Sequence, residues 1–174
     1  GYLTEISDVN DATLWEATSE NALGQITGFS QGSYNSTISY SNYGDLQSMI
    51  TPDVRSMSYG FDNFKNLQFR QDNLTNQKEE FAYDNLNRLT NIYYYLNGVH
   101  QTNDDKSINY DNLGNITGKT GLALEDDIKY GEGNYSPNVL TSISNAASYA
   151  PLNQSISYTA FNKVEVITDT LPDE

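Results

Sequence analysis

One seven-residue pattern constrains this chain more than anything else in it. It is clearest at Tyr110-Asp111-Asn112-Leu113-Gly114-Asn115-Ile116. A second copy is Tyr83-Asp84-Asn85-Leu86-Asn87-Arg88-Leu89, and a third is Phe61-Asp62-Asn63-Phe64-Lys65-Asn66-Leu67. Weaker copies begin at Tyr40, Tyr158 and Glu20. A period of this kind excludes most layered folds, because each unit can bury its apolar side only against a neighbouring unit.

The slots follow rules. The fourth is large and apolar: Leu23, Tyr43, Phe64, Leu86, Leu113 and Phe161. The seventh is aliphatic: Ile26, Leu46, Leu67, Leu89, Ile116 and Val164. The fifth is Gly or Asn, with Lys65 the exception. Two residues before the first slot stand Ile38, Tyr59, Phe81, Ile108 and Ile156, and Thr18 breaks that rule. Residues two apart share one face of a strand, so Ile108 with Tyr110 and Phe81 with Tyr83 predict strand ends. Asp or Asn in the second slot can bond the backbone just ahead of it. Gly or Asn in the fifth tolerates positive φ. Each copy therefore predicts a strand, a tight turn and a returning strand. First slots at 40, 61, 83 and 110 lie 21, 22 and 27 residues apart. The longer gap to 158 leaves room for one more unit, with Ile128-Lys129-Tyr130 as a degraded copy.

These residues resemble the RHS or YD-repeat family, found in bacterial polymorphic toxins, in the C component of insecticidal Tc toxins and in animal teneurins. Residues 110–116 match the family's Tyr-Asp-x-x-Gly motif fully, through Tyr110, Asp111 and Gly114. Tyr83 and Asp84 match with Asn87 for Gly, and Asp62 matches with Phe61 for Tyr and Lys65 for Gly. The copies at Tyr40 and Tyr158 lose the Asp, and the copy at 20–26 loses the Tyr. The stretch 14–33 also resembles the segment that bacterial members place before their repeats. The resemblance implies an all-β chain whose repeat units form a coiled antiparallel sheet, a segment of a hollow β-shell around a C-terminal toxin or effector. Residues 1–174 then form one repeat region, with units near 14–33, 34–55, 56–75, 76–98, 104–122, 123–150 and 151–174. It also implies a secreted or cell-surface location. The implied partners are the flanking repeats and effector of a longer parent chain, together with secretion machinery. The family's self-cleaving aspartyl segment has no match here, so no residue is carried over from it.

Composition agrees with a thin sheet. Hydrophobic residues are 37% of the chain, below the usual ~45–50%. The 14 Tyr and 6 Phe, in strict phase, argue against disorder. Lys and Arg number 9 against 23 Asp and Glu, for a net charge of −14. That balance excludes a nucleic-acid backbone or an anionic membrane surface as partner. No apolar run is long enough to span a bilayer, and no signal-peptide pattern occurs. There is no Cys, hence no disulfide or thiolate metal site. Gly1-Tyr2-Leu3 reads as the back half of an interrupted unit, and Leu171-Pro172-Asp173-Glu174 does not read as a domain end, so the chain is expected to be part of a longer one.

Along the chain, Tyr2 to Ile6 predicts a strand. Asp8, Asn10 and Asp11 read as a turn, since the Gly and distal Glu of a calcium loop are missing. Trp15 reads as a packing anchor. Pro52 breaks any strand through 51–53. Residues 76–98 predict the clearest hairpin, with Leu89–Leu96 as a strand whose Tyr93-Tyr94-Tyr95 is covered on both sides. Asn97-Gly98 predicts a type I′ turn. His100, the only His, reads as a polar loop residue and leaves no His pair for a metal. Residues 131–150 read as a loop excursion around a strand at Val139–Ile143. Gly131-Glu132-Gly133 lacks the third Gly of a dinucleotide fingerprint. The sequons at Asn35, Asn73, Asn115, Asn134 and Asn153 read as chance matches in a chain rich in Asn, Ser and Thr.

The sequence thus predicts a non-catalytic structural segment with no cofactor and no metal. A second reading is an adhesion or carbohydrate-binding surface, with exposed aromatics. A third is an enzyme using Asp104, Asp105, Asp126 and Asp127, which requires two of those carboxyls to converge in a cleft.

Overall fold

The computed structural model describes residues 3–121, 127–144, 153–161 and 163–170. Tyr2, Asp126 and 171–174, which carried expectations above, lie outside them. Every regular element among the described residues is a strand, and the chain is all-β with antiparallel pairing.

The strands are short because turn residues recur so often. They are β1 (Glu5–Ser7), β2 (Thr13–Glu20), β3 (Ile26–Gln31), β4 (Tyr34–Tyr40), β5 (Leu46–Thr51), β6 (Arg55–Phe61), β7 (Leu67–Asp72) and β8 (Gln77–Tyr83). There follow β9 (Leu89–Leu96), β10 (Val99–His100), β11 (Lys106–Tyr110) and β12 (Ile116–Lys119). The last are β13 (Ile128–Tyr130), β14 (Leu140–Ile143), β15 (Asn153–Tyr158) and β16 (Val164–Thr170). From β1 to β9, then β11 and β12, hydrogen-bonded order follows chain order, with β10 folded back onto β9. Strands β13 to β16 form a second sheet in chain order. The chain divides into two compact units, Gly1–Phe81 with Tyr93–Thr102, and Ala82–Ile92 with Asn103–Glu174.

In the first unit the sheet has two unlike faces. Ile38, Met49 and Met57 lie opposite one another across β4, β5 and β6, and Ser39, Ser48 and Ser58 do so on the other face. The Ser39 and Ser48 hydroxyls are 2.6 Å apart. A single sheet can only half-cover such an apolar face. Among the described residues the one large apolar side chain that is buried is Ile128, in the second unit.

Several local expectations meet the structure directly. Asn97 and Gly98 both have positive φ (51° and 77°), as a type I′ turn requires. Pro52 sits in the turn between β5 and β6. Of the expected strand Tyr2–Ile6, Tyr2 lies outside the described residues, the strand that forms is Glu5–Ser7, and Ala17 donates to the Thr4 carbonyl at 2.9 Å. Thr18 breaks the apolar rule because it is the extra residue of a β-bulge: Ala17 opposes Phe29 and Ser19 opposes Gly28. Two expectations are corrected. His100 is in a strand, its ring stacked on Tyr95 at 4.8 Å, because the two-residue turn leaves it paired with that residue. Strand β9 is half-buried along its length rather than covered on both sides; the Tyr93 and Tyr95 rings meet His100, and the Lys78 ammonium lies 6.0 Å from the centre of the Tyr95 ring.

Candidate functional site: the motif turns

The second-slot side chain organises each motif turn. Its oxygen accepts two backbone N–H groups, from the fourth and sixth slots, at 2.8 to 3.2 Å. Asn21, Ser41, Asp62, Asp84 and Asp111 all do this, and Thr159 accepts from Lys163 at 3.3 Å. The backbone closes the same loop, with the second-slot N–H donating to the sixth-slot carbonyl at 2.8 to 3.0 Å in all six copies. That closure forces the fifth slot into the left-handed region. Gly24, Gly44, Asn87 and Gly114 occupy it, and so does Lys65, at φ 70°.

The sixth slot, for which the repeat pattern carries no rule, completes the turn. Asn66 and Asn115 donate their amides to the second carboxylate oxygen of Asp62 (3.0 Å) and Asp111 (2.8 Å), and Arg88 donates to Asp84 (2.6 Å). Where the second slot is Ser41, the polarity reverses: the hydroxyl donates to Asp45 at 3.1 Å. A signal was present in the sequence, because an acidic second slot always faces a donor in the sixth.

The electrostatics follow from these bonds. The Asn115 amide, with backbone N–H groups behind it, holds the Asp111 carboxyl below its usual value. The Arg88 backbone N–H does the same for Asp84, helped by the Arg88 guanidinium. At Asp62 partial desolvation pushes upward, and the bonds from Asn66 and Phe64 outweigh it.

Turns are also bonded to their neighbours. Tyr40 Oη donates to the Ile26 carbonyl at 3.1 Å, and Tyr110 Oη to the Leu89 carbonyl at 2.9 Å. In both cases a first-slot Tyr reaches the seventh slot of the preceding copy. Gln25 Nε2 donates to the Gly44 carbonyl at 3.0 Å, and Lys65 Nζ lies 2.6 Å from Asp45. In the second unit Arg88 donates to the Asp111 carbonyl at 3.3 Å, with its guanidinium 4.5 Å from the centre of the Tyr110 ring. Each first-slot residue pairs with its own seventh slot: Tyr40 with Leu46, Phe61 with Leu67, Tyr110 with Ile116 and Tyr158 with Val164. Tyr83 ends β8 in the corresponding place. A register shift accompanies each of these four pairings, an extra residue that periodic patterning could not reveal.

A structure of TcdB2-TccC3-Cdc42 aligns with 87% of this chain at 16% identity and a TM-score of 0.63, and TcdB2-TccC3 without its hypervariable C-terminal region aligns with 94% at 14% and 0.66. A Photorhabdus luminescens Tc holotoxin pore with a mutated TccC3 aligns with 98% at 12% and 0.62. The chain has the fold found in these toxin proteins. That agrees with the YD-repeat resemblance of its turns. The chain spans only 8 to 10% of the length of those chains. No protein-family model matches it, and no curated protein does.

Within this fold, the other singled-out residues take local roles. Asp8 accepts from Asn10 and Ala12, and Asp11 has φ 61°, so Ser7–Thr13 is one more turn of the same design at the opposite ends of the strands. Trp15 packs on Phe29, ring centres 6.0 Å apart. Gly131 donates to the Val139 carbonyl, so the Gly131-Glu132-Gly133 stretch is the start of a widened turn between Tyr130 and Leu140. Tyr158 meets Tyr135 edge to face at 5.7 Å. Asp104 lies in a turn before β11, and Asp127 accepts the Ser144 backbone N–H. Among the described residues no three Asp, Glu or His side chains gather where they could hold a metal ion. Nor is any helix long and apolar enough to cross a membrane.

Proposed function

We propose that this chain is a wall segment of an RHS-type shell, a non-catalytic piece of a longer secreted or cell-surface bacterial protein that encloses a C-terminal toxin or effector. The observation that carries this reading is the repeated bond from one motif turn to the next. It lets a sheet grow by addition of units without building an interior. The half-covered apolar face and the likeness to toxin chains of much greater length support it. The parent's flanking repeats and effector are then the partners, and residues 1–174 act as one repeat region. Limited proteolysis of the parent, followed by mass spectrometry, tests this. A C-terminal fragment that stays intact until the repeats are cut supports encapsulation. A fragment digested first, while the repeats persist, removes it.

An adhesion surface is the second reading, favoured by one feature. An open depression of about 490 Å³ on the first unit is lined by Gln71, Lys78, Glu80, Tyr95 and Asn97. Aromatic and amide groups side by side suit a sugar. Glycan binding that is lost in Tyr95→Ala, with the fold retained, would favour this reading over the first.

A further inference from the structure

Asn97-Gly98 is the only Asn-Gly step in the chain. Both residues are exposed, in the two-residue turn between β9 and β10. Strand β10 is the shortest of the described strands and is exposed at both of its residues. It is held on β9 by the pairs Val99 with Leu96 and His100 with Tyr95, and by the Gln101 N–H bond to the Tyr94 carbonyl at 2.7 Å. The His100 ring adds its stack on Tyr95. A hairpin tip with so few contacts opens at a small fraction of the global unfolding free energy. Asparagines of the motif turns are placed differently. Asn66 and Asn115 are tied through their side-chain amides to Asp62 and Asp111. They are followed by Leu67 and Ile116, whose side chains crowd the next backbone nitrogen, whereas Gly98 has no Cβ to shield its own.

We propose that Asn97 is a site of spontaneous deamidation, and that one of the two products releases β10. The Gly98 backbone nitrogen attacks Asn97 Cγ. A C–N bond forms, the nitrogen gives up its proton, and the side-chain amide leaves as ammonia. The product is a five-membered imide. Water then opens it at one of its two carbonyls, so one water is consumed for each ammonia released. Opening at the backbone carbonyl gives isoaspartate, and opening at the side-chain carbonyl gives aspartate. The closed turn does not react. Positive φ at both residues is type I′ geometry, in which the first residue has ψ of about +30°. Ring closure needs that angle swung far from there, so the reaction runs through the opened hairpin. Aspartate restores the turn, because Asp-Gly suits type I′. Isoaspartate adds a backbone carbon that a two-residue turn does not accommodate, and β10 comes away from β9. Either product sets a new carboxylate in the lining of the depression that holds Lys78 and Glu80. Neither reading of the chain's function is needed for this chemistry.

The folded chain, and the same chain unfolded in urea, are aged in mildly alkaline buffer, and peptide masses report which amides become acids. In the folded chain Asn97 is expected to convert before any other asparagine, within about tenfold of its rate in the unfolded chain. A folded rate slower by about 10³-fold or more, as access through global unfolding would give, would overturn the proposal. So would a different asparagine converting first. Gly98→Val, compared in urea where the turn plays no part, should lose most of the conversion; an equal rate would mean direct hydrolysis of the amide without the ring. His100 is the only His, so its imidazole NMR signals need no assignment. They should lose the ring-current shift from Tyr95 in the purified isoaspartyl product and keep it in Asn97→Asp. A shift retained in the isoaspartyl product would show that β10 is not released.

Discussion

The two rows of turns in the first unit make an instructive contrast. At one end the same loop recurs at 21–25, 41–45 and 62–66, with the same second-slot acceptor and the same left-handed fifth residue. At the other end only the first loop, at 8–12, follows that design, and the three that come after it all differ. Gly32-Ser33 is a two-residue connection, Pro52-Asp53-Val54 has three residues and Asn73-Leu74-Thr75-Asn76 has four. Both rows touch their neighbours; Asn97, for example, donates to the Asn76 carbonyl at 3.0 Å. Only the motif turns repeat a contact in the same slots, in the bonds from Tyr40 to the Ile26 carbonyl and from Tyr110 to the Leu89 carbonyl. A repeated lateral bond needs donor and acceptor in the same place in every unit, so it fixes the turn. Where the lateral contact is improvised, sequence and length drift. The motif is therefore best understood as a device for joining units, and only secondarily as a turn.

If that is right, the largest effect comes from a first-slot Tyr. Tyr110→Ala removes half-buried ring packing together with the bond to the Leu89 carbonyl, and should cost about 2–4 kcal/mol in urea denaturation. Tyr34→Ala, beside the Gly32-Ser33 turn of the other row, should cost less than about 1 kcal/mol. Equal losses would erase the distinction between the rows.

Acid is expected to act on several motif turns at once. Asp62, Asp84 and Asp111 are held below their usual values when folded, so the unfolded chain takes up their protons first as pH falls. Their stabilisation is complete above the unfolded value, near pH ~3.9, and is lost as pH drops through the lower folded values. Thermal melts should therefore fall steeply below about pH 4. Replacing the three carboxylates with Asn should flatten that limb. A limb left unchanged would place the acid-sensitive groups elsewhere.

A smaller and reciprocal pair tests the hydroxyl alone. Tyr110→Phe should lose about 0.5–1.5 kcal/mol. Phe61→Tyr gives the third copy the hydroxyl that Tyr40 and Tyr110 use, and should gain up to a similar amount, if it reaches the Leu46 carbonyl. Loss in both directions would show that the bond is tied to particular sites and is not a property of the repeat.

Much of this fold is written in the spacing. Apolar residues two apart, an acceptor in the second slot and Gly or Asn in the fifth are enough to give strand, turn and strand, because each meets a local steric or hydrogen-bonding demand. Three features were hidden for different reasons. Apolarity is not burial, so the fourth slot gives no hint that Phe64 stands exposed in its turn. A bulge changes the count of residues without changing their type, as at Thr18. The sixth slot varies among Asn, Arg, Asp, Gln and Lys, and its constancy lies in hydrogen-bonding role relative to the second slot. Pairwise rules of that kind disappear when slots are read one at a time.

Lys65 gives the finest test, because two demands conflict there. Its φ of 70° strains a side-chain-bearing residue by roughly 1 kcal/mol, which Gly would relieve. Yet its ammonium lies 2.6 Å from Asp45 in the neighbouring turn and 5.1 Å from the centre of the Tyr43 ring. If lateral bonding offsets the strain, Lys65→Gly should be nearly neutral, within about 0.5 kcal/mol. The offset is electrostatic, so it should shrink as salt rises, and the substitution should then become stabilising. It should be stabilising at low salt as well once Asp45 is changed to Asn. A Lys65→Gly chain that gains stability equally with and without Asp45 would mean that Lys65 does nothing for its neighbour. The fifth slot would then answer only to its own turn, and the joining role would rest on the first and sixth slots alone.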